Sequence, residues 1–124
     1  MSLLKRTARA TLAPCVRLYD RLRRPSPMQR TPERQAEVDL ATQRLVLYHF
    51  QTCPFCVRVR HKIAELGLDI EMRDTLLDPH NRQALAEGGG KTQVPCLLIT
   101  DEQGNQEWLY ESADINRYLV SRFG

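Results

Sequence analysis

Two cysteines separated by two residues, Cys53-Pro54-Phe55-Cys56, are the part of this chain best equipped to do chemistry. They follow a short apolar run, Leu45 to Phe50, and open an amphipathic stretch. A C-x-x-C at a strand-to-helix junction marks a thiol–disulfide redox site. There the first thiol meets unpaired backbone N–H groups and the positive end of the helix dipole, and both favour negative charge. That lowers a thiol pKa from about 8.5 toward neutrality, so Cys53 is expected to be largely thiolate, the reactive form. Cys56 lies one helical turn further on, close enough to attack a mixed disulfide formed on Cys53.

The elements that must hold this pair follow from periodicity. Residues 44–50 are short, apolar and rich in Val, Tyr and Phe, as a buried strand is. Residues 54–66 read as a helix with Phe55, Val59, Ile63 and Leu66 on one face and Gly67 ending it. A second strand is expected at 68–73, and a helix at 79–87 stopped by Gly88-Gly89-Gly90. Strands at 95–100 and 107–109 are joined through a Gly104-Asn105 turn. A last helix spans 112–123, with Ser112 as its N-cap and Ile115, Leu119 and Phe123 buried. The order β-α-β-α-β-β-α predicts an α/β fold, a mixed four-stranded sheet flanked by helices, with the crossover pair parallel and the hairpin antiparallel.

A chain of 124 residues allows one modest core. The net charge of +3 hides two opposed parts, +7 over residues 1–34 and −4 over residues 35–124. The reading is a basic extension with its linker at 1–42 and an acidic domain at 43–124. In the extension Leu4, Ala8, Leu12, Cys15, Tyr19 and Leu22 recur at helical spacing among arginines, interrupted by Pro14. Pro25-Ser26-Pro27 forms a linker, and a short helix runs from Pro32 to Ala41 with Thr31 as its N-cap. A basic amphipathic helix suits an anionic membrane surface, through residues 1–24. An Arg-rich, acid-poor N-terminus also suits a mitochondrial transit segment, and a solvated tail is the third reading. Nucleic acid is not expected as a partner, since no aromatic residues interleave with the arginines. No secretory signal and no run of about 18 apolar residues is present, which favours a reducing, cytoplasmic setting at or near a membrane, with the mitochondrial matrix as the alternative. No metal site is expected, because one C-x-x-C falls short of the four ligands of structural zinc and His49 and His61 match no zinc spacing. A monomer is expected.

Cys53-Pro54-Phe55-Cys56, Gln93-Val94-Pro95 and Glu111-Ser112-Ala113-Asp114-Ile115, in this order, resemble a glutaredoxin of the thioredoxin fold. The last of these motifs is similar to the N-terminal domain of glutathione S-transferases. The resemblance covers about residues 43–124 and leaves the basic extension outside it. It implies that Cys53 is the nucleophile, that Cys56 is the resolving thiol, and that glutathione is the co-substrate. It further implies a cis Pro95, a backbone ladder from Val94 to glutathione, and Glu111 with Ser112 holding the γ-glutamyl end at a helix N-terminus. A cation for the glycine carboxylate would be Arg82 or Lys91. The protein partners would be glutathionylated or disulfide-bonded proteins.

Two departures from the family pattern stand out. Phe50 occupies the position where glutaredoxins often carry Lys, and Phe55 replaces a frequent Tyr. The first predicts a thiolate that rests more on the helix start and is less acidic than usual. The chain stops at Gly124 without the helical domain of a transferase, so conjugation is the less expected chemistry. The reading is a glutathione-dependent thiol–disulfide oxidoreductase. The alternative is a non-catalytic glutathione-binding or iron–sulfur carrier module, against which the second thiol counts. Simpler roles stand beside these. Cys96 reads as a small core filler and Cys15 as packing or membrane-facing. His49 and His61 read as structural or solvated, and Glu111-Ser112 could be only a capped helix start.

Overall fold

A computed structural model describes residues 2–124, with side chains described from residue 13 onward. The order is α1 (Ser2–Arg23), α2 (Pro32–Thr42), β1 (Leu45–His49), α3 (Pro54–Glu65) and β2 (Glu71–Asp74), then α4 (Pro79–Gly89), β3 (Cys96–Thr100), β4 (Gln106–Tyr110) and α5 (Ser112–Phe123). The strands form one sheet in the order β2-β1-β3-β4, with β1 and β2 parallel and the other two pairs antiparallel. This is the mixed sheet that the sequence predicts.

Alternation along the central strands sets the layers. Leu45 and Leu47 of β1 and Leu97 of β3 join Val59, Ile63, Ile115 and Leu119 in the larger core, which puts α3 and α5 on one face. The intervening Tyr48, Cys96 and Leu98 pack with Leu85 of α4 on the other. Period two in the strands and period 3.6 in the helices are what place these residues together. Cys96 is fully buried there, and burial pushes its thiol up to about 12.

Several local outcomes differ from the sequence reading, each for a physical reason. The β2 strand starts at Glu71 rather than residue 68. Residues before it close the end of α3, where Gly67 takes φ 62 and the Leu68 N–H donates to the Ile63 carbonyl. Gly88 and Gly89 continue α4, and only Gly90, at φ 86, ends it. A Cβ on Gly88 would fall inside the Trp108 ring, and one on Gly89 would strike the Tyr110 hydroxyl. The glycines are there so that α4 can lie close against β4. Helix α1 runs through Pro14 without a break in the helical assignment. Helix α2, counted with the extension from sequence, supplies fully buried Val38 to the larger core.

The first helix and its linker are tied to the domain. The Met28 N–H donates to the Glu65 carbonyl at 2.9 Å, and Arg30 Nη2 to the Phe123 carbonyl at 2.7 Å. Helix α1 packs on α3 through Asp20, which is described with the site below. Its residues Cys15, Leu18, Tyr19 and Leu22 remain exposed, whereas Leu4, Ala8 and Leu12 of the expected stripe lie outside the described side chains.

Candidate thiol site

Cys53 is the N-cap of α3, with extended backbone (φ −80, ψ 117), and Pro54 occupies the first helical position. Proline there lacks only an N–H that would be unpaired anyway, and its fixed φ suits the helix start. Cys53 is 7% exposed and Cys56 fully buried, and both are free thiols. The Cys53 pKa is brought down to about 6. The largest cause is a hydrogen bond from the Cys56 thiol, working against burial; backbone N–H groups of Cys56 and Phe55 and the Arg60 charge add to it. Cys56 is pushed up in turn, by that donated hydrogen bond, by burial and by the negative charge on Cys53. One sulfur thus favours the thiolate and the other the protonated thiol. The acidity rests on the neighbouring thiol first and on the helix start second, which refines the expectation from sequence.

The three motifs converge on one cavity of about 450 Å³. Its wall contains Phe55 and Arg58 from α3, Gln93, Val94 and Pro95 from the loop before β3, and Glu111, Ser112 and Ala113 at the start of α5. Larger hollows of about 530 and 560 Å³ lie elsewhere and include none of the three motifs, so size alone does not point to the chemistry. The Val94–Pro95 peptide bond is cis, as the resemblance implies. Among the described residues no hydrogen bond uses the Val94 backbone, which lies just outside the β3 ladder. Gln93 Nε2 donates to Glu111 Oε1 at 3.1 Å and so ties two of the motifs together.

Glu111, rather than Ser112, is the N-cap of α5, and its side chain makes no capping bond. It is the one described non-glycine residue at positive φ, 70°. Such a conformation costs of order 1–3 kcal/mol and tends to persist where a site demands it. Ser112 is the first residue of the helix and is buried in the cavity wall.

Cys53 itself does not line the cavity; it adjoins it through Phe55, two residues along and 58% exposed. Neither proposed cation lines it. Lys91 Nζ lies 5.2 Å over the Tyr110 ring, whose hydroxyl donates to the Lys91 carbonyl, and Arg82 is exposed on α4. The cation in the wall is Arg58, which the sequence reading passed over. Its spacing five residues after Cys53, past the first turn of α3, was the available signal.

A second group missed from sequence sits behind the thiol loop. Arg60, 7% exposed, donates from Nη2 to Asp20 Oδ2 and to the Gln51 carbonyl, each at 2.9 Å. From Nη1 it reaches the Phe50 carbonyl at 3.3 Å and His49 Nδ1 at 3.1 Å. Arginine can only donate, so Nδ1 is the acceptor and a neutral His49 carries its proton on Nε2. Burial first, and then the Arg60 charge, hold the His49 pKa below its usual value. Asp20 Oδ1 accepts from His61 Nε2 at 2.9 Å and from Arg24 at 3.1 Å, and Tyr19 stacks on the His61 ring. Burial raises the Asp20 pKa, but the hydrogen bonds from Arg60 and Arg24 and the Arg60 charge outweigh it and leave the carboxyl lowered. Both histidines therefore have partners, where sequence showed none.

Residues 47–124 match the family model of the glutathione S-transferase N-terminal domain. The chloroplastic glutaredoxin-C4 of Oryza sativa subsp. japonica is 33% identical over 72 residues, which cover 52% of this chain and 51% of that one. Glutathione transferase Omega 3C of Trametes versicolor aligns over 77% of this chain and 39% of its own, at 22% identity and a TM-score of 0.53, a likeness of fold. Maleylacetoacetate isomerase of Anaeromyxobacter dehalogenans 2CP-1 aligns over 64% and 35%, at 32% identity and a TM-score of 0.48. The chain spans about half the length of the curated glutaredoxin that it matches. By its matched residues, which run from β1 to the end of α5, the chain belongs to the glutathione S-transferase N-terminal domain family, on the thioredoxin-like fold that glutaredoxins share.

Proposed function

We propose that this protein is a glutathione-dependent thiol–disulfide oxidoreductase of the glutaredoxin type. The observation that carries the reading is the cavity beside the acidic thiol, whose wall draws on all three motifs. Cys53 thiolate attacks the glutathionyl sulfur of a protein–glutathione mixed disulfide. The protein thiolate leaves and takes a proton, and Cys53 becomes glutathionylated. A second glutathione thiolate then attacks that glutathionyl sulfur, which yields glutathione disulfide and regenerates the Cys53 thiolate. With a protein disulfide as substrate, Cys53 first forms a mixed disulfide; Cys56 then attacks the Cys53 sulfur, the substrate's second sulfur leaves as a thiolate, and two glutathiones reduce the resulting Cys53–Cys56 disulfide. The Cys56 proton is easier to lose at that step, because the Cys53 charge that helped raise its pKa has gone into the mixed disulfide.

In this reading the free Val94 backbone groups pair with the cysteinyl residue of glutathione. Ser112 and the α5 N–H groups take its γ-glutamyl carboxylate, with Glu111 beside them. Arg58, in the same wall, is the better placed cation for the glycine carboxylate than Arg82 or Lys91. The test is glutathione-coupled reduction of a small mixed disulfide by wild type, Cys53→Ser and Cys56→Ser. Activity should vanish in the first variant and largely survive in the second; equal loss in both would reject these roles. A visible chromophore in anaerobically purified protein, without turnover, would favour an iron–sulfur carrier instead.

For α1 we propose peripheral contact with an anionic membrane surface. Among the described residues no helix is long and apolar enough to cross a membrane. Cys15, Leu18 and Leu22 follow at three- and four-residue spacing and are exposed, flanked by exposed Arg17 and Arg21. Asp20, the sole acid of that helix, is turned inward. The protein should float with vesicles containing phosphatidylserine and not with pure phosphatidylcholine, and Leu18→Glu/Leu22→Glu should abolish flotation. Equal behaviour with both vesicle types would reject the proposal.

A further inference from the structure

We infer that Asp20 and Arg60 form a positioning pair for Cys53, through which helix α1 is a working part of the thiol site. The inference rests on the reading of Cys53 as nucleophile. Arg60 lies on α3, and its guanidinium joins four things at once: the end of β1 at His49, the carbonyls of Phe50 and Gln51, and Asp20 of α1. Phe50 and Gln51 belong to the loop that delivers Cys53 to the start of α3, and the Cys53 N–H itself donates to the Phe50 carbonyl at 3.3 Å. The cation thus fixes the backbone immediately before the nucleophile. A planar fork with several donors can hold two carbonyls and a carboxylate together, which a lysine ammonium on a floppy stem does poorly.

Asp20 in turn keeps the fork in place. One of its oxygens takes Arg60, and the other takes His61 and Arg24, so the carboxylate is held from three directions. The charged and titratable groups that face this cluster are Arg24, His61, His49 and Asp74, the last acting on His49 from β2. Arg60 is also among the groups that favour the Cys53 thiolate. Where the family often places a lysine before the first cysteine, this chain has Phe50, and the fixed charge comes from behind the loop instead. A chain stripped of α1 would keep the cation but lose the anion that orients it. The inference therefore makes α1 a retained element and speaks against its removal as a transit segment.

The sign of the effect on Cys53 separates positioning from simple charge. Deleting the Asp20 carboxylate removes a negative charge from the Arg60 cluster behind the thiol loop, and the loss of that charge alone could only lower the Cys53 pKa. If Asp20 acts by holding Arg60 and the loop, the pKa rises instead. The measurement is the pH dependence of iodoacetamide alkylation at Cys53, read by mass spectrometry on the full-length protein, with Trp108 fluorescence melts as the fold control. Asp20→Ala and Arg60→Met should each slow alkylation at pH 6 about fivefold, which is what a one-unit rise from about 6 produces. Arg60→Lys, which keeps the charge and loses the fork, should fall between these and wild type. The double variant should match the singles rather than sum them, because both act through one link. A Cys53 pKa unchanged or lowered in folded Asp20→Ala, or an Arg60→Lys indistinguishable from wild type, would overturn the inference. If Asp20→Ala fails to fold, Arg60→Lys decides. A wild-type Cys53 that alkylates like an ordinary thiol would reject the nucleophile reading itself. Normal wild-type acidity with no glutathione turnover would reject the oxidoreductase reading and leave the pair intact.

Discussion

Helix α3 serves two sites of opposite construction. Its N-terminal end meets an open cavity, where the groups on offer are exposed or belong to the backbone: Phe55, Arg58, the Val94 peptide and the start of α5. Its flank meets α1 in a closed cluster, where Asp20, Arg60 and His49 are each less than a tenth exposed. The open site can wait for a ligand because water solvates its polar groups meanwhile. The closed one has no such reserve, and each buried charge depends on the partner opposite it. The comparison teaches that this thiol lies between two electrostatic environments, one open to solvent and one closed around paired charges.

The largest effect that tests this contrast is on stability. Asp20→Ala leaves Arg60 charged and buried, and breaking a buried pair from one side costs about 3–5 kcal/mol. Arg24→Ala removes an exposed partner of the same carboxylate, and should cost no more than about 1 kcal/mol. Urea unfolding followed by Trp108 fluorescence measures both, and equal losses would erase the distinction between the two kinds of partner. The paired change Asp20→Leu/Arg60→Met removes both charges and should restore most of the lost stability, since buried pairs are often replaceable by apolar packing. It should not restore the acidity of Cys53.

The closed cluster also has a pH signature of its own, separate from that of the Cys53 thiol. His49 is held below its usual pKa in the folded state, so folding favours its neutral form. Its contribution is complete above the unfolded value of about 6.5 and is lost as pH falls from there through its lowered folded pKa. The Asp20 carboxyl is also lowered, so its contribution is complete above about 3.9 and is lost only in more acid solution. In a Cys53→Ser background, which removes the thiolate that itself titrates at about 6, stability should therefore decline in two stages on acidification, and His49→Gln should remove the first. A variant that still declines from pH 6.5 would show that another group is responsible.

The two sites differ equally in how far a sequence discloses them. The element order, the mixed four-stranded sheet and its flanking helices were legible, because strand alternation, caps and C-x-x-C are local signals that short spacing carries; the three motifs were joined by the family resemblance. Thr31 accepting from the Arg34 N–H is a further case of this kind. The closed cluster was not legible. Asp20 looked like one acid in a basic helix, and Arg60 like one arginine on an amphipathic helix, with nothing local to join them. His61 showed no partner for the same reason, since its partner lies on another element. Val38 falls in the extension by sequence because the strand periodicity begins only at residue 44, and only the packed fold reveals that its side chain enters the core. Arg58 was passed over because its role depends on which wall α3 presents to the cavity.

A smaller effect sharpens the open side. The Cys56 thiol is the leading cause of Cys53 acidity, so Cys56→Ala should raise the Cys53 pKa from about 6 and shift the alkylation profile to higher pH. The expected change is about one unit, or about 1.4 kcal/mol. The same shift is linked to stability, so at pH 7 the reduced variant should lose about 1 kcal/mol, with any further loss coming from truncation of the fully buried Cys56 side chain. A profile that stays at about 6 would transfer the acidity to the helix start and to Arg60.

The smallest effect separates binding from holding at a single residue. Glu111 keeps an unfavourable φ of 70° and gives its side chain to Gln93, with no cap to show for it. Glu111→Gly should relieve the backbone at little cost in contacts, and glycine's extra freedom in the unfolded chain offsets part of the gain, which leaves stability equal to wild type or higher by about 1 kcal/mol. If the conformation exists to shape the wall beside Ser112, the KM for glutathione should rise several-fold while alkylation of Cys53 keeps its pH profile. Glu111→Gln retains the bond to Gln93 and the strained backbone and should lie nearer wild type. Loss of stability in Glu111→Gly with unchanged KM would instead make Glu111 a structural residue, and the open cavity would then have one fewer reason for its shape.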